Sequence, residues 1–281
     1  MISEAHKSFA EPLLMGGHRV PGSWRFLLPE EARWLQLPGE QWAACDSCPQ
    51  AALGECRDDV RCCGYFPVLP NFLLGMGLLD PETREFMGAM VDRGHALPVG
   101  LAPTPRQLHA AVQVLAEDRV GQDPAVVCPF LRAPEPGCAV HAYRNSICST
   151  FFCEHDHGPQ GQAYWDAVQA LVGLAETLVS QWAMDQVGLQ CETYFAALDS
   201  LSHGVPELAA SEAWPVPALE VLWGPWYGRE RAFFEACAQQ VLEHRHELYD
   251  LARARPLFEA RALEAEVLEW MPPNLRPYMP P

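Results

Sequence analysis

Nine of the chain's 11 cysteines, Cys45, Cys48, Cys56, Cys62, Cys63, Cys128, Cys138, Cys148 and Cys153, fall between positions 45 and 153. Thiols gathered this densely are disulfides, metal or cluster ligands, or small buried hydrophobes, and each option dictates a different fold. The chain has 281 residues, 49% of them hydrophobic, which is ample for a core that needs no covalent staples. Its N-terminus carries Glu4 and Glu11 and no continuous apolar run, so it does not read as a secretory signal. The expectation is a cytoplasmic protein, and in a reducing compartment clustered cysteines more often ligate metal. Cys191 and Cys237 stand outside the cluster. Cys237 shares a helical apolar pattern with Phe234 and Val241 and is expected in the core.

The cluster divides into two blocks. Cys45-Asp46-Ser47-Cys48 has the CxxC spacing at which two thiolates on a tight loop converge on one ion. Cys56 follows after seven intervening residues, and then the adjacent pair Cys62-Cys63. On an extended backbone neighbouring side chains point to opposite sides, so this pair is not expected to chelate one ion as a CxxC does. In the second block Cys128, Cys138, Cys148 and Cys153 recur with nine, nine and four intervening residues. The 64 residues from Gly64 to Val127 separate the blocks, so folding must bring them together. Thiolates suit zinc or iron-sulfur clusters and disfavour magnesium or calcium. Nine thiols allow two four-ligand sites with one left over, or one cluster with structural or redox cysteines beside it. His155 and His157, close to Cys153, are possible nitrogen ligands or residues of a solvated turn.

The ordered set of CxxC, Cys62-Cys63, Cys128-Pro129-Phe130-Leu131, Cys138-Ala139-Val140-His141 and Arg144 through Cys148 resembles the YkgJ-type zinc- or iron-chelating cysteine-cluster family. The resemblance spans residues 45 to 153 and implies metal or cluster binding. The chain departs from the family pattern at His141, where tyrosine is usual, at Asn145, where proline is usual, and at the inserted Cys56. Cys148-Ser149-Thr150 is also similar to a segment of the flagellin lysine N-methylases. That similarity implies an alternative, an S-adenosylmethionine-dependent enzyme acting on a basic protein or peptide. An interaction module stapled by metal is a further alternative.

Charge and pattern bound the rest. The chain has 19 basic and 36 acidic residues, a formal charge of -17 that disfavours extended contact with nucleic acid. No uninterrupted apolar run is long enough to cross a membrane. Lys7 is the only lysine, so there is no P-loop, and the glycines, among them Gly75 and Gly77, form no GxGxxG. Glu243-His244-Arg245-His246-Glu247 is not HExxH and reads as a solvated helix face.

Trp165, Val168, Val172, Ala175, Val179 and Trp182 make one apolar face of a helix over 162–187. Further helices are expected at 191–202, 229–254 and from Pro256 to before Pro272. A proline-punctuated connector is expected near 214–225. Earlier, short helices are expected after Pro29 and Asp80, and Thr104-Pro105 is a capping residue followed by proline that opens a run to Leu115. The cysteines lie outside these stretches. The expected fold is mainly α, with an irregular, metal-centred cysteine-rich half, residues 1–158, packed against a helical half, residues 159–281.

Overall fold

A computed structural model describes residues 3–34, 37–38, 40, 48–66, 68–132, 137–204, 211 and 213–254. The fold is mainly α: the described residues form twelve α-helices and five strands of two or three residues. No helix among them is long and apolar enough to cross a membrane. The chain divides into two compact units, each discontinuous in sequence. Each draws segments from both sides of position 158.

The first unit comprises Met1–Trp42, Ala142–Trp182 and Gln240–Pro281. It contains α1 (Glu4–Ala10) and an antiparallel hairpin of β1 (Leu13–Met15) and β2 (His18–Val20). The hairpin turns on Gly16 and Gly17, whose φ angles of 53° and 93° suit glycine. After α2 (Trp24–Leu27) come α7 (Ser146–Thr150), the long α8 (Gly158–Gln186) that leaves the unit at its end, and α12 (Leu248–Arg253). Val168, Val172, Ala175 and Val179 of α8 are buried, as their spacing requires, together with Phe9, Trp24 and Tyr143.

The second unit comprises Ala43–His141 and Ala183–Gln239. It holds α3 (Pro49–Ala52), α4 (Asn71–Leu79), α5 (Arg84–Met90), α6 (Pro105–Ala116), α9 (Cys191–Gly204), α10 (Val216–Trp223) and most of α11 (Glu230–Glu243). Its sheet of β3 (Leu69–Pro70), β4 (Ala96–Leu97) and β5 (Gly100–Leu101) is antiparallel in the order β3-β5-β4. α6 starts as its sequence predicts: the Thr104 hydroxyl accepts from Gln107 N–H and the Gln107 side chain accepts from Thr104 N–H.

Two elements differ from expectation. The 229–254 helix is two helices, α11 and α12, broken at His244–Glu247. The His244 ring meets the Gln240 carbonyl and Arg245 donates to the Leu242 carbonyl, so the basic side chains end α11 by satisfying its last acceptors. His244 also packs edge-on against Trp182, and His246 against Phe26; the segment is a turn and not a helix face, while Glu243, His246 and Glu247 are exposed to solvent as expected. The connector near 214–225 contains α10. α4 has no apolar period because eight of its nine residues are buried. The helix expected from Pro256 lies outside the described residues.

Candidate metal centre

Cys48 precedes α3, Cys56 follows it in a loop, and Cys62 and Cys63 sit on a 3-10 turn, Arg61–Cys63. The loop holding them is tied to the turn after α6. Arg57 N–H donates to the Gly121 carbonyl, and the Gln122 side chain donates to the carbonyls of Gly54 and Glu55. The backbones cross so closely that a Cβ on Gly64 would lie 2.5 Å from Gly121 N, and one on Gly121 would lie 2.7 Å from Cys56 Cβ. Gly121 also has a φ of 81°, so glycine is required there on two grounds.

Within this scaffold the thiols crowd one another. Burial pushes the Cys56 thiol up to about 11, and the Cys48 thiol, hydrogen-bonded to it, adds to the shift. The Cys62 thiol is raised chiefly by its hydrogen bond with Cys63. The pair sits on a 3-10 turn and not on an extended backbone, and with three residues per turn adjacent side chains there also point apart.

Cys128 N–H donates to the Cys63 carbonyl at 2.7 Å, which ties the backbone of one cysteine of the second block to the first. Cys128 is buried and Cys138 half-buried, the latter bridged antiparallel to Leu131. Phe130, two residues after Cys128, packs edge-on against Phe66 with ring centroids 5.7 Å apart, and at a tilt against Phe86. Cys148 and Cys153 belong to the other unit. Cys148 lies in α7 and not in a loop, and Asn145 caps that helix by accepting from Cys148 N–H at 3.1 Å. Cys45 lies outside the described residues. None of the ten described cysteines is in a disulfide. Among the described residues, no group of three or more His, Cys, Asp and Glu side chains is placed to hold a metal ion.

Of the histidines, His141 and His157 are exposed, while His155 Nδ1 lies 3.1 Å from Glu40 Oε1. The Glu40 side chain is fully buried and also accepts from Asp156 N–H. Cys237 is fully buried, and burial pushes its thiol up. Cys191 is buried too, but its N–H donates to Asp185 Oδ1 at 2.8 Å, so it serves at a helix start as well as in packing.

Three residues that position this region escaped the motif reading. Glu176, on α8, accepts from both the N–H and the hydroxyl of Ser146 and so anchors α7 with Cys148. Its sequence signal is a carboxylate four residues after Val172, on the apolar face. Arg61 precedes Cys62 with a φ of 55°, which sequence does not reveal. Glu40 has no local signal at all. No family model, curated protein or solved structure matches this chain.

Proposed function

We propose that the chain binds zinc or an iron-sulfur cluster through its clustered cysteines. The observation that supports this reading is the density of cysteines in one short stretch, Cys48, Cys56, Cys62 and Cys63, whose Cys63 carbonyl accepts from Cys128 N–H. The resemblance to the cysteine-cluster family supports it. The cysteines of this unit proposed as ligands are Cys48, Cys56, Cys62, Cys63 and Cys128, which the described structure does not gather as a set of three or more, so binding would have to draw them together. Bound there, zinc would supply a structural crosslink or Lewis acid, and an iron-sulfur cluster would supply electron transfer.

The chain's own groups act by binding and orienting. The Gly64–Gly121 crossing fixes Cys56, and the Cys63 carbonyl fixes the backbone at Cys128. Elemental analysis and absorption spectra of protein purified without oxygen test the proposal. Stoichiometric zinc or iron is the expected result, with visible thiolate-to-iron absorption if iron is present. Protein that carries neither metal, and takes up neither on reconstitution, overturns it.

A further inference from the structure

α6 turns its larger apolar side chains to solvent and its smaller ones inwards. Ala111 and Val114 are buried against Val126, whereas Leu108, Val112 and Leu115 are 53%, 58% and 54% exposed. Spacings of four and three put these three on one stripe of the helix. His109, Gln113 and Ala116 are exposed beside them, and no charged residue occurs between Arg106 and Glu117. In a chain with a formal charge of -17, a solvent-facing helix surface without a charge matches the charge-depleted centre of an interface and not a solvated face.

Two features fit a second copy of this chain to that face. The stripe is nearly symmetric about Val112, so a two-fold axis there lays two helices antiparallel and brings Leu108 of one copy towards Leu115 of the other. The second feature is charge. α6 has no acidic side chain in its first turn and no basic one in its last; Arg106 stands near its start, and Glu117 and Asp118 follow its end. That is the reverse of what the dipole of the helix favours. Arg119 pairs with Glu117 and Asp123, and Asp118 keeps that end acidic. An antiparallel copy complements both ends, because each positive start then lies beside an acidic end. Elsewhere two acidic copies repel one another, and the uncharged stripe is where they can approach.

We infer that two copies of the chain associate through α6, packed antiparallel about Val112, with Leu108 of each copy against Leu115 of the other. A single helix pair lies at the small end of specific interfaces, so the association is weak and reversible, with a dissociation constant on the order of 10–100 μM. It uses none of the cysteines and stands apart from the metal-binding reading.

Sedimentation equilibrium of the full chain under reducing conditions, over about 5 to 500 μM, tests the pairing. The mass is expected to rise from monomer towards dimer. Val112→Glu sets two carboxylates against each other at the two-fold axis and is expected to weaken association at least about tenfold. Because Val112 is exposed, the melting temperature of the monomer should stay within about 2 °C of the parent. Arg106→Glu and Glu117→Arg should each weaken association about threefold at low salt, and the double reversal should restore it. A parent that stays monomeric throughout overturns the proposal, and so does a Val112→Glu variant that dimerises with parent affinity. A double reversal that binds no tighter than the single variants refutes the antiparallel arrangement. A monomeric parent that binds phosphatidylcholine vesicles, and loses that binding with Val112→Glu, gives the face to a lipid surface instead.

Discussion

Glu176 sits in the middle of α8 with its carboxylate fully out of water. Burial pushes its pKa up from 4.5 to about 7, and the two hydrogen bonds from Ser146 limit the rise. A carboxyl whose folded pKa lies above its unfolded value binds its proton more tightly in the native state. The unfolded chain loses that proton near pH 4.5 and the folded chain only near 7. Relative to the neutral isostere, Glu176 therefore costs nothing below about pH 4.5, and its cost grows as pH rises to about 7, reaching roughly 3 kcal/mol. Urea denaturation of the parent and of Glu176→Gln across this range is expected to show the parent losing stability relative to the variant as pH rises. A constant difference would show that Glu176 keeps an ordinary pKa.

At the scale of elements, α4 and α11 cross at Gly75, where an added Cβ would lie 2.0 Å from the Phe234 carbonyl oxygen. In an isolated helix Gly75→Ala gains up to about 1 kcal/mol of propensity. Here the obstacle is backbone, which cannot swing aside as a side chain does, so the clash outweighs the gain. A net loss of about 2 kcal/mol, seen as a melting temperature lower by roughly 4–8 °C, is expected by calorimetry. The glycines at 75 and 77 were legible in sequence as the absence of a nucleotide motif, but their packing role was not, because the partner lies more than 150 residues away. α6 and α8 were legible because each carries its own local signals, a capping box in one and an apolar stripe in the other. The break between α11 and α12 was not, since it depends on His244 and His246 finding Trp182 and Phe26.

Across the whole molecule, the irregular stretch from Cys48 to Gly64 is held by backbone bonds to Gly121 and by few regular elements of its own. Segments of this kind gain much of their stability from a ligand that binds only the folded form. Chelation is therefore expected to lower the melting temperature. Cys128→Ser should reduce metal content and melting temperature together, because Cys128 is buried and its backbone is tied to Cys63. Cys237→Ser, in the core of α11, should leave metal content at the parent level. Full loading of the Cys128 variant, measured by elemental analysis, would remove Cys128 from the ligand set.

By itself the sequence determined the mainly helical character, the start of α6, the apolar face of α8 and the density of thiols, all properties written in spacings within one or two turns of chain. Only the tertiary structure decided that Cys62 and Cys63 share a 3-10 turn, that Cys148 lies in a helix anchored by Glu176, and that α6 turns its larger apolar residues to solvent. It also decided how each unit is assembled from distant segments. These outcomes depend on burial and on backbone crossings between remote residues, and neither quantity exists until the chain has folded.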